Sequence, residues 1–186
     1  MQNIQGSDFG LEASAGLDAG ATGRHGITFK NVYKFEAYDA DGNLKWTEEA
    51  ENTVVNVGLN DVLTNYLKGS SYTASFFVGL KDNGSIAAAD TMSSHAGWTE
   101  DTTYSNSTRP ALTLGSVASQ SVDNSASKAV FNINGSTTIY GAFITTSSTK
   151  GGTTGVLFGA ADFGASRALL SGDTLNVTCT LTASSS

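Results

Sequence analysis

The 186-residue chain contains one cysteine, one proline and two histidines, and only 15% of its residues are charged. Each scarcity excludes a class of protein. A single cysteine builds neither a disulfide framework nor a cysteine-rich zinc site. Ten Lys and Arg against 17 Asp and Glu leave a formal net charge of −7. That charge repels a phosphate backbone, so no nucleic-acid partner is expected. The apolar runs are only a few residues long, far short of a membrane-spanning helix, and no membrane partner is expected. The first 25 residues lack the basic start and continuous apolar stretch of a secretory signal, so synthesis and folding are expected in a reducing cytoplasm.

What the chain does have is glycine, at 21 positions. Ser and Thr together fill about a quarter of the sequence, while Lys and Glu are few. That composition suits strands and turns better than helices. The length suits one domain with an arm. Residues 1–26 sustain neither a helical nor a strand period, and Phe9, Leu11 and Leu17 are isolated apolar points among small residues and glycines. They read as a flexible or extended N-terminal arm, whose sparse apolar side chains would dock on a neighbouring subunit if it is ordered.

From Ile27 onward the pattern is β. ITFKNVYKFEAYDADGNLKWTEEAE reads as two strands joined at Asp41-Gly42, a dipeptide that suits a type I′ hairpin turn. Leu59, Val62, Leu63, Tyr66 and Leu67 then recur at helical spacing, which predicts one short amphipathic helix over about residues 57–68. SFFVGL reads as a buried strand, and residues 81–110 as a long loop of the kind that is usually functional or packed on something. Five further strand segments follow: ALTLGSVAS, SKAVFNI, TTIYGAFITT, GTTGVLFGA and GDTLNVTCTLTA. In the last, Leu175, Val177, Cys179 and Leu181 alternate with polar residues. The predicted fold is mainly β: an antiparallel β-sandwich over residues 27–186, of jelly-roll or immunoglobulin-like type.

Chemistry-bearing residues are thin and scattered. Neither His25 nor His95 has a second ligand at metal-binding spacing. Asp39, Asp41 and Asn43 resemble a calcium loop, but an EF-hand needs Gly sixth and Glu twelfth, and counting from Asp39 those positions hold Leu44 and Ala50. KGGTTG has its Lys before the glycines, unlike a phosphate-binding loop. Cys179, on the apolar face of its strand, reads as a small buried hydrophobe. No catalytic residue, cofactor or metal ligand is expected, and the chain does not read as an enzyme.

Several segments form an ordered set: NTVVNVGLNDVLTNYL, FFVGLKDNGSIAAADTMSSHAGWTE, TYSNSTRPAL, SKAVFNIN, TIYGAFITTSSTKGGTTGVLFGA and SRALLSGDTLNVTCTLT. Over about residues 27–183 this set resembles a family of small virion structural proteins of tailed bacteriophages. The resemblance implies a virion-associated structural role. The first expectation is a capsid decoration, or cement, protein on the outer shell of the virion, made in the host cytoplasm. It would be a homotrimer that binds the major capsid protein and clamps adjacent capsomers. The alternative is a tail or fibre-associated module that binds the host surface. Trp98, Tyr104 and Arg109 are of the types enriched at interfaces, and Arg109, held extended before Pro110, is placed to pair with a carboxylate on a neighbour. Equally, Trp98 and Tyr104 can simply cover the core of their own sandwich.

Overall fold

The computed structural model describes residues 27–68 and 75–185. The predicted arm, with Phe9, Leu11 and Leu17, lies outside the described residues. Ile27–Tyr38 (β1) and Leu44–Val54 (β2) pair antiparallel, from Val32 opposite Glu51 to Tyr38 opposite Leu44. Along β1 the residues alternate: Asn31, Tyr33, Phe35 and Ala37 are buried, and Lys30 and Lys34 are exposed.

The hairpin is where the sequence puts it, but its turn differs. The loop covers residues 39–43, and of these only Gly42 takes a positive φ, of 84°. The Asp39 carboxylate accepts the backbone N–H of Asp41 at 3.0 Å and of Asn43 at 2.8 Å. These bonds, Asn43's first, hold its carboxyl below the ordinary range. A side-chain-capped turn thus does the work that a second left-handed residue would have done.

The remaining strands are Phe77–Lys81 (β3), Glu100–Asp101 (β4), Ser121–Asp123 (β5), Ala129–Asn132 (β6), Thr137–Thr145 (β7), Leu157–Leu169 (β8) and Thr174–Ser185 (β9). All pairings are antiparallel, in the order β4-β3-β7-β8-β2-β1-β9-β5, with β6 also on β9. The corner is β2. Its residues 44–51 pair with β1, whereas Asn52–Val54 pair with Gly159–Ala161 of β8. The sheet therefore curls across β2 into a half-barrel. Tyr33 and Phe35 of β1, Leu80 of β3, Phe131 of β6, Ile144 of β7, and Val177 and Cys179 of β9 meet in one core. Each buried Phe, Leu, Ile or Val among them contributes about 1.5–3 kcal/mol on burial.

Two strand expectations change. ALTLGSVAS forms no continuous strand: it meets the sheet through the single bridges Phe77–Ala111 and Ala118–Ser121 and the Gly115 N–H bond to the Asp123 carbonyl, and the chain then turns at Ser119 and Gln120, both left-handed (φ 48° and 58°). β8 runs well past GTTGVLFGA, to Leu169, because it has two partners to satisfy, β7 along its length and β2 at Gly159–Ala161.

The predicted helix forms as Asn56–Val62 (α1) followed by a wider π-helical turn, Leu63–Leu67. Its rotational phase is not the one the apolar stripe implies. Gly58 lies so close to β8 that an added Cβ would stand 2.2 Å from the Phe158 carbonyl oxygen. The face carrying buried Val55 and Gly58, with half-buried Val62, is therefore turned inward. Leu59, Leu63 and Tyr66 are left 38%, 53% and 82% exposed.

Gly58→Ala is expected to destabilise the fold by about 1–3 kcal/mol through overpacking, even though alanine is the better helix former by about 1 kcal/mol. Urea unfolding checks this, and an unchanged midpoint would show that the backbone contact is not tight. A second expectation concerns Glu36, whose carboxylate accepts a hydrogen bond from Lys128 and lies 3.4 Å from Lys34. The Lys128 bond depresses the Glu36 pKa below 4.5 and raises that of Lys128 above 10.5. The contribution of Glu36 is thus present above pH 4.5 and fades as pH falls through its folded value; that of Lys128 is present below pH 10.5 and fades as pH rises through its own. Glu36→Gln should lower stability by about 0.2–1 kcal/mol between those limits, as for a solvent-screened pair. The difference from wild type should shrink toward both extremes of a pH series of denaturation midpoints.

Candidate functional site

The loops at one end of the half-barrel bring His95, Trp98, Tyr104, Arg109 and Lys150 close together. Thr91 and Ser94 close a tight turn through reciprocal backbone bonds of 2.9 and 3.2 Å. This turn sets His95 flat on Trp98, ring centroids 4.1 Å apart and 22° from parallel, with His95 Nδ1 bonded to the Trp98 carbonyl at 3.0 Å. The Trp98 indole N–H donates to Asp90 at 2.9 Å, and its ring packs on Phe143 at 5.2 Å. Trp98 is only 2% exposed.

Beside it lies a buried ion pair. Arg109 donates through Nε and Nη2 to the two oxygens of Glu100, at 2.9 and 2.7 Å. Nη1 reaches the Ser147 carbonyl at 2.9 Å and Nη2 also reaches that of Gly152 at 2.8 Å. Glu100 in turn accepts the Gly151 backbone N–H at 2.8 Å. The guanidinium also lies over the Phe143 ring, 5.2 Å from its centroid. The arrangement ties β4, the segment before Pro110 and the β7–β8 loop into one unit.

Tyr104 completes the cluster. It is fully buried, meets Phe131 edge to face at 5.0 Å, and carries Lys150 Nζ 4.5 Å above its ring. Lys150 donates to the carbonyls of Tyr104 and Asn106 at 2.8 and 2.9 Å. Burial, and then the nearby Glu100 charge, raise the Tyr104 phenol well above its ordinary value.

The structure thus brings Trp98, Tyr104 and Arg109 together, but inside their own subunit. The three side chains expected at an interface are buried in this chain, and the carboxylate that Arg109 meets is Glu100 of the same chain. The reason is chemical. A guanidinium before a proline is extended, and within nine residues of it the chain supplies an acidic partner on a short edge strand. Sequence reasoning missed Glu100, Phe143, Lys150 and the Ser147 and Gly152 carbonyls. Glu100 had a signal, since it ends the GWTE segment of the long loop; backbone carbonyls leave none.

Other candidate chemistry is structurally engaged. Lys81, also fully buried, lies 2.6 Å from Asp162 and donates to the Gly84 carbonyl. Cys179 sits in the core, where burial pushes its thiol up to about 12, so it holds no thiolate at neutral pH. Among the described residues, no three His, Cys, Asp or Glu cluster to hold a metal ion, and no helix is long and apolar enough to cross a membrane. A hollow of about 230 Å³ opens beside the cluster, walled by Met92, His95, Trp98, Glu100, Gly152 and Thr153. No protein-family model matches the chain, and no curated protein matches it either.

Glu100→Gln is expected to cost about 3–5 kcal/mol, because it leaves the Arg109 charge buried without its counter-charge. Guanidinium unfolding measures the loss. A cost below about 1 kcal/mol would mean that water reaches the pair.

Proposed function

We propose that the chain is a structural protein of a bacteriophage virion, and that it acts as a capsid decoration protein. It binds the major capsid protein on the outer shell, as a trimer, and holds adjacent capsomers together. On this reading the half-barrel is part of an antiparallel sandwich of jelly-roll or immunoglobulin-like type. It is a binding and bracing protein without catalytic activity.

One observation carries the reading beyond the family resemblance. The interior charges of the loop end are closed into structural bonds: Arg109 on Glu100 and two carbonyls, Lys81 on Asp162 and a carbonyl. An acid–base site needs a titratable group held ready for a substrate. Here the same groups stiffen loops. Stiff loops suit a protein whose task is attachment, since little freedom remains to be lost on binding.

The second reading, a tail or fibre-associated host-binding module, is favoured by the hollow beside the His95–Trp98 stack. On this reading the His95 ring, stacked over Trp98, forms the apolar wall and Thr153 the polar group that a sugar ring would meet.

Mixing the purified protein with capsids that lack it, and imaging the particles by electron cryomicroscopy, tests both. Regular density on the shell lattice is the expected result. Density confined to the tail supports the second reading and overturns the first; absence of density also overturns the first.

A further inference from the structure

The end of the half-barrel next to α1 carries an apolar groove. Two adjoining hollows of about 710 and 420 Å³ share Phe29, Val62 and Tyr66 as walls. Phe76 and Phe158 extend the first, and Ile27 and Leu63 the second. Ile27 is 71% exposed, and with Leu59, Leu63 and Tyr66 it forms one apolar strip. A contiguous strip of this kind on a soluble chain marks a contact surface.

Apart from the groove, two amides are left without partners where β1 and β2 part. After the Val32–Glu51 pair, β2 leaves β1 and turns to β8, so the two strands diverge at Asn31 and Asn52. Asn31 is 1% exposed, yet its Nδ2 has no hydrogen-bond partner; Asn52 Nδ2 and Oδ1 lack partners too. Buried amides without partners cost about 1–3 kcal/mol each. What the groove itself calls for is an occupant with apolar side chains to cover Phe29, Val62, Leu63 and Tyr66.

We propose that the occupant is the chain's own N-terminal segment, with Phe9 and Leu11 seated in the groove. The chain preceding the described structure joins it at Ile27, which itself lines the groove. Residues 18–26, between Leu17 and Ile27, span up to about 30 Å when extended. The 12 residues from Asn56 to Leu67 rise only about 18 Å as a helix, so the segment has the length to turn back and run along it. Gly20, Gly23 and Gly26 permit the reversal. Phe9 and Leu11 are two residues apart, so an extended segment presents both to the same wall. The tether sets a local concentration on the order of millimolar, which favours this chain over a second copy. The segment predicted to reach a neighbour thereby serves first as the missing wall of its own subunit. This inference stands apart from the virion reading.

Hydrogen–deuterium exchange on the full-length protein tests it. Phe9→Ser, Leu11→Ser and Leu17→Ser together should speed amide exchange in Ile27–Asn31 and Asn56–Leu67 about tenfold, while β7 and β9 stay protected. Tyr66→Ser should do the same from the groove side. Equal rates in variant and wild type overturn the proposal. Acceleration of wild-type exchange on dilution overturns it in favour of a second copy. Should the triple variant loosen the core as well, Leu11→Cys with Tyr66→Cys decides. A disulfide within one chain supports the proposal; a disulfide between chains, or none, overturns it.

Discussion

A guanidinium that no water reaches must find its partners in the protein, and Arg109 finds them for four of its five N–H groups. That requirement organises the loop end. Glu100 must stand on β4, the segment before Pro110 must lie extended beside it, and the Ser147 and Gly152 carbonyls must turn inward. The last condition fixes the β7–β8 loop, and the Gly151 N–H returns the contact to Glu100. Trp98 and Tyr104 are buried on either side of this pair: Trp98 packs on Phe143, the ring beneath the guanidinium, and Tyr104 reaches the β6 side through Phe131. The long loop is therefore bound to the sheet from both directions.

At the helix end the governing constraint is steric. α1 approaches β8 through Gly58, because no larger residue fits against the Phe158 carbonyl. Close approach settles the helix phase, and the phase sends Leu59, Leu63 and Tyr66 outward. The same crowding applies to β8 itself, where a Cβ at Gly159 would meet the Asn52 side chain at 2.3 Å. Gly159 on β8 lets β2, and Gly58 on the helix lets α1, pack close to the same strand, and the cost is an apolar strip that the described residues leave uncovered.

The divide between what could be read from the sequence and what could not follows these two constraints. Period-two alternation identified the inward residues Leu175, Val177 and Cys179 of β9, because that strand has one buried face; in β1 the inward Asn31 and Ala37 are neither large nor strongly apolar and gave no such signal. The hairpin at Asp41-Gly42 was legible, but its capping by Asp39 was not, since a carboxylate two residues upstream competes with the turn type that Gly alone suggests. The helix was legible in position and wrong in phase. Periodicity reports which residues are apolar, and a glycine reports how near two backbones can come; here the second outranked the first. At the candidate site, Trp98, Tyr104 and Arg109 were singled out as side chains with something to do, but whether they do it within or between subunits depends on Glu100, whose proximity to Arg109 is created by the fold. Asn31 and Asn52 gave no sequence signal, because an amide in a strand is ordinary until its neighbour strand departs.

A buried ion pair is a poor source of net stability, since desolvation offsets most of the attraction, and well-packed apolar residues often do as well. What it does supply is a single acceptable arrangement. Apolar side chains in the loop end would tolerate many packings, whereas Arg109 is satisfied only when Glu100, Ser147 and Gly152 converge within hydrogen-bond distance. Ser and Thr are abundant in these loops and bring little packing force of their own. In such a composition, one charge that cannot be left unpaired gives the loops their shape. The same logic separates the two ends of the molecule. The loop end closes its polar groups upon itself, so whatever it binds meets a finished surface. The groove end leaves its apolar walls uncovered among the described residues, so there the surface is set by backbone approach and not by the pairing of charges.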